Sequence, residues 1–94
     1  MTVDETRLSR IETALRTALA PSSLSLVDES HLHRGHAGAA SGRGHYRVRV
    51  VSAVFNGKAP LARHRQVYSA LGALMETDIH ALSIEALSPD EATA

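Results

Sequence analysis

Six histidines and no cysteine set the chemical repertoire of this 94-residue chain. His31, His33 and His36 fall close together, His45 follows, and His64 and His80 stand apart. Neutral imidazole is a competent ligand for zinc, copper, nickel and iron, so the cluster is a candidate metal site. The plain alternative is a chance grouping in a solvated loop. The lack of thiols excludes disulfide frameworks, zinc fingers, cysteine nucleophiles and any iron–sulfur site built from four cysteines of this chain. Whatever metal the chain holds must be taken by histidine and carboxylate.

The second chemical feature is a segregation of charge. Ten basic and ten acidic side chains cancel to a net charge of zero, yet no acidic residue lies between Glu29 and Glu76. Arg34, Arg43, Arg47, Arg49, Lys58, Arg63 and Arg65 all fall in that interval. Such asymmetry points to an anionic partner, either nucleic acid or an acidic protein face, weighed against an ordinary solvated surface. Three aromatics, Tyr46, Phe55 and Tyr68, argue against a base-stacking reader of single strands.

These side chains need elements to hold them, and the length admits a single domain, residues 1–94, with one core. Leu8, Ile11, Leu15, Ala18 and Leu19 recur at helical spacing, predicting a helix over about residues 3–19, with Thr2 and Glu5 as a capping box. Pro21 closes it, and Leu24–Val27 reads as a short strand. Tyr46, Val48 and Val50 alternate with Arg47, Arg49 and Val51, giving a strand with one buried and one cationic face, which His45 joins. A turn at Phe55–Lys58 leads to Pro60, which opens a second helix running to about Met75, with Val67, Ala70, Leu71 and Leu74 inward. Ile79–Leu87 is the third strand, and residues 88–94 form a tail or short helix. The predicted order is helix, strand, strand, helix, strand. No apolar run reaches the ~20 residues of a membrane span and the amino terminus is charged, so a soluble cytoplasmic protein is expected.

Residues 30–44 are too long for a hairpin turn and hold four of the six glycines and the three clustered histidines, the composition of a functional loop. Gly35-His36-Ala37-Gly38 matches a G-x-x-G phosphate clamp on paper, but it sits between two strands and carries no basic side chain. On the third strand, alternation places His80 on the same face as Leu82 and Ile84. A packed, hydrogen-bonded core histidine is the ordinary reading of such a position. His64, between two arginines, reads as a surface residue.

Four segments in order, Asp28-Glu29-Ser30, then Val50-Val51-Ser52-x-x-Phe55-x-Gly57-Lys58, then Arg63-His64-Arg65-x-Val67-Tyr68, then Ile79-His80-Ala81-Leu82-Ser83-Ile84, resemble the BolA family. The resemblance runs from the first helix to Pro89. It implies an α+β domain in α-β-β-α-β order, a three-stranded sheet like that of class II KH domains with helices packed on one face, and no enzyme activity. Arg43 stands where the family commonly has a glutamate, and the family's tryptophan near the carboxyl end is missing.

The resemblance also implies a function. BolA proteins partner monothiol, CGFS-type glutaredoxins and share a [2Fe–2S] cluster with the glutaredoxin and its glutathione, and they regulate transcription through DNA. On the first reading the matching His-Ala-Leu motif makes His80 a cluster ligand, joined by a loop histidine. Counting from Asp28-Glu29-Ser30 gives His33, and counting back from His45-Tyr46 gives His36, which is preferred for its Gly-His-Ala setting. Two histidines on one iron resemble the Rieske ligand set. No cluster is expected to be held tightly by the chain alone, which should be a monomer or weak homodimer. On the second reading, Arg47, Arg49, Lys58, Arg63 and Arg65 contact DNA phosphates.

Overall fold

The computed structural model describes residues 6–30 and 44–93. Thr2, Glu5, His31, His33, Arg34, His36 and Arg43 lie outside the described residues. The first helix, α1, is Arg7–Leu19, shorter than the expected span from residue 3. Thr6 is extended (φ −63°, ψ 157°), and its hydroxyl accepts a hydrogen bond from the Ser9 backbone N–H at 3.1 Å. That is N-cap geometry, and it satisfies an amide that the first helical turn would otherwise leave without an acceptor. The helix buries Ile11, Leu15 and Leu19 at spacings of four, one face of a 3.6-residue period.

Two strands follow, β1 (Ser23–Asp28) and β2 (Gly44–Val51), and they pair antiparallel with Leu24 opposite Val50 and Leu26 opposite Val48. A 3₁₀ turn at Ala53–Phe55 buries Phe55 completely. It is capped by Ser52, whose hydroxyl accepts from the Val54 amide and donates to the Leu19 carbonyl, tying the turn to the end of α1.

The second helix, α2, is Pro60–Leu71 and stops four residues short of Met75. Gly72 ends it with φ 53° and ψ −126°, backbone that glycine adopts without the steric cost a Cβ would bring. Leu74–Thr77 forms a separate short turn of helix, α3. The third strand, β3, spans Ile79–Leu87 as the alternation predicts, and Pro89–Thr93 forms a terminal helix, α4.

The sheet order is β1-β2-β3, with β3 parallel to the central β2. The core joins α1 and α2 to the inward side of the sheet through Ile11, Leu15, Leu19, Tyr46, Val48, Val50, Phe55, Val67, Leu71 and Ile79. On the opposite side the register aligns Ser25, Arg49 and Glu85 in one row and Val27, Arg47 and Ser83 in the next. These residues line a groove of about 270 Å³ on the outward face. The helices therefore pack on one face, as a class of small α+β domains built on a mixed three-stranded sheet requires.

Candidate functional site

The pairing of β2 with β3 shifts by one residue at its start. Gly44 pairs with Ile79, but His45 pairs with Ala81, so His80 is an extra residue on β3. Insertion of one residue bends the strand locally and resets its alternation. Ile79 is buried in the core and Leu82 and Ile84 pack partly against it, whereas His80 between them is exposed. The expected placement of His80 on the core face is therefore corrected: period-two counting back from Leu82 passes through the bulge and inverts the side chain. His80 is exposed and not a core residue.

Its neighbour is His45. That side chain has the outward parity of Arg47 and Arg49, as expected, but the residue is only 9% exposed. The two rings stand with centroids 5.1 Å apart and planes tilted by 47°. The His45 backbone N–H donates to the Ser30 hydroxyl at 3.1 Å, and its carbonyl accepts from the Glu29 amide at 2.8 Å. Ser30 and Gly44 are the described residues on either side of the sequence that holds His33 and His36. Both ends of that segment thus meet beside His80.

The start of β3 is held from the other side by Asp78. Its carboxylate accepts hydrogen bonds from Arg10 Nη2 at 2.6 Å, from Arg7 Nε at 3.3 Å and from the Thr77 hydroxyl. The Thr77 hydrogen bond first, then the Arg10 guanidinium, hold its carboxyl down to about 2. The Asp78 carbonyl accepts from the Gly44 amide at 2.9 Å. A Cβ at Gly44 would come within 2.6 Å of the Tyr46 ring, so a larger residue there would have to displace that buried ring. Burial, and after it the Asp28 charge, raise the Tyr46 phenol above its ordinary value, while Arg7 opposes the shift through a hydrogen bond and its charge. Sequence reading passed over Asp78 and the His45 contact; a carboxylate directly before an Ile-His strand start was the available signal.

Of the five cations assigned to a phosphate surface, Arg63 alone is buried. Arg63 is 9% exposed, and its guanidinium donates to the Lys58 and Ala86 carbonyls at 2.8 and 3.1 Å and forks onto the Glu91 carboxylate. It joins the α2 start, the end of β3 and α4, and is not offered to a ligand. The Arg63 guanidinium, with the Ser88 amide after it, lowers the Glu91 carboxyl to about 2. Arg47 pairs with Glu29 at 2.9 Å and Arg49 with Glu85 at 3.3 Å. Lys58 and Arg65 are exposed, and neither pairs with a carboxylate among the described residues. His64 is half-buried on α2.

Among the described residues no three histidine or carboxylate side chains converge to hold a metal ion, and no helix is long and apolar enough to cross a membrane.

This order of elements, this mixed sheet and a displayed His-Ala-Leu strand start define a small α+β domain of the BolA type. The chain belongs to the BolA family: residues 15–91 match the family model described as BolA-like protein. It is 44% identical over 75 residues to the DNA-binding transcriptional regulator BolA of Escherichia coli, covering 80% of this chain and 69% of that one. It is also 44% identical over 79 residues to mouse BolA-like protein 1, covering 84% of this chain but 56% of the relative, so it spans about half that protein's length. Its fold is similar to the BolA domain of SufE1 from Arabidopsis thaliana, with a TM-score of 0.80, 35% identity, and coverage of 95% of this chain and 99% of that one.

Proposed function

We propose that this chain is a non-enzymatic adaptor that binds a monothiol glutaredoxin and contributes imidazole to a [2Fe–2S] cluster shared with that partner and its glutathione. The observation that carries the reading is the exposed His80, set out of the sheet by a bulge at the corner where the two ends of residues 30–44 meet. The donor set fits a shared group. A chain with no thiol offers iron only nitrogen and carboxylate ligands, and one displayed imidazole leaves the remaining positions to a partner's thiolates. When bound, the cluster would supply electron transfer or be passed onward as cargo. His80 would present one imidazole, and His36, or else His33, would bring a second from the loop.

The test is to mix the purified chain with a cluster-loaded monothiol glutaredoxin and record visible absorption, circular dichroism and size exclusion. The expected result is a heterodimer whose spectrum differs from that of the glutaredoxin alone, with the difference lost in His80→Ala and reduced in His36→Ala. An unchanged spectrum with no complex refutes the reading.

A second reading, DNA binding, draws on the exposed Lys58 and Arg65 and on the name of the E. coli relative. With Arg63 sealed and Arg47 and Arg49 paired at the surface, Lys58 and Arg65 are the two of these five without a carboxylate partner among the described residues, which supports weak binding of steep salt dependence and little sequence choice. Titration of unrelated duplexes at two salt concentrations tests it. Selective binding that survives raised salt would overturn that description.

A further inference from the structure

We propose that His45 is a positioning residue for His80: its buried ring is the fixed wall that holds the His80 imidazole outward at the bulge. The proposal rests on the reading of His80 as a ligand and deepens it. A bulge residue has no opposite residue in the ladder, so pairing with β2 does not by itself assign the face its side chain takes. Several staggered χ1 wells are open to an exposed side chain, and its neighbours select among them. Ligation requires one of them, and in metal sites the orientation of a histidine is normally set by a neighbouring group.

His45 is built for that task. Its ring centroid lies 5.1 Å from that of His80, inside the range of aromatic contacts, with the planes tilted so that one ring leans on the other. The pair is asymmetric, because His45 is buried and His80 is exposed. His45 is also fixed at the backbone, by Ser30 on its amide and Glu29 on its carbonyl. The residues on either side are held as well: Gly44 by the Asp78 carbonyl, and Tyr46 within the core. A buried ring on the central strand therefore meets an exposed one on the outer strand, at the shift in register between β2 and β3.

The test begins with the metal-free chain, isotopically labelled. Three-bond couplings give the His80 χ1 distribution, and ring-proton shifts report the neighbouring ring. One dominant rotamer is expected in the native chain, an averaged set in His45→Ala, and recovery of one rotamer in His45→Phe, which keeps the wall without its nitrogens. His45→Gln, which fills the space without a ring, gives the same comparison if His45→Ala does not fold. With cluster-loaded monothiol glutaredoxin, His45→Ala should weaken the heterodimer about tenfold, the lower end of the cost of losing such a support, and His45→Phe should restore it. Identical His80 couplings in the native chain and His45→Ala would overturn the proposal, as would a His45→Phe variant that behaves like His45→Ala. Failure of the native chain to bind glutaredoxin would instead remove the ligand reading, while the couplings still decide whether His45 orients His80.

Discussion

Replacing Asp78 by asparagine tests how the corner beneath His80 is held. The Asp78 carboxylate is 7% exposed as a residue and carries hydrogen bonds from Arg7, Arg10 and Thr77. Asp78→Asn preserves the shape, removes the charge, and turns one acceptor into a donor that faces guanidinium groups. A hydrogen bond to a charged group is worth about 1.5–3 kcal/mol. The side chains of Arg7 and Arg10 are 35% and 44% exposed, so water recovers part of what is lost. A net cost of about 2 kcal/mol follows after that screening. In a domain of this size each kcal/mol moves the melting temperature by about 5 °C, so Tm near pH 7 should fall by about 10 °C. The pH dependence has a definite sign. The folded carboxyl titrates at about 2 against an ordinary 3.8, so its contribution is present above the ordinary value and is lost as pH falls through that interval. Thermal melts by circular dichroism at about pH 7, 4 and 2.5 should show the gap between native and variant chains narrowing toward acid. A gap under about 3 °C at neutral pH, or one that persists undiminished at the lowest pH, would refute the reasoning.

Arg63→Ala should lower Tm by about 10 °C or more, because it leaves the Lys58 and Ala86 carbonyls without their donor and releases α4; Arg63→Lys should recover only part, since an ammonium cannot reproduce the fork. Arg65→Ala and Lys58→Ala should leave Tm within about 2 °C of the native value, while each reduces the salt slope of any duplex binding by about one, measured by fluorescence anisotropy. Gly72→Ala places a Cβ on backbone of φ 53° and should cost about 1 kcal/mol, read as a Tm loss of about 5 °C. A neutral Gly72→Ala would show that the chain reverses at that point by another route.

Most of the fold was legible because its signals are local. The Tyr46, Val48 and Val50 alternation marks the inward face of the central strand, and Ile11, Leu15 and Leu19 mark the inward face of α1. The helix end at Gly72 was obscured by Leu74 and Met75, which continue an apolar stripe although the backbone has already turned. Two site residues were misplaced for non-local reasons. Arg63 looks like an exposed cation at a helix start until Glu91, far along the chain, is brought beside it. His80 looks inward because alternation is blind to an inserted residue, and the bulge is defined only by register against β2.

The parallel pairing of β2 with β3 also carries a kinetic consequence. The contact between β1 and β2 closes one segment of chain, but β3 can join only after residues 52–78 have looped across the sheet. Closing a longer loop and ordering α2 within it costs entropy before any strand contact repays it. The two histidines are on opposite sides of that closure, His45 before it and His80 after it. Their ring contact therefore cannot form in a chain emerging from synthesis until nearly all of the domain has been made. A truncated or partly folded copy would display either imidazole without its neighbour, which ties the corner to complete folding of the domain.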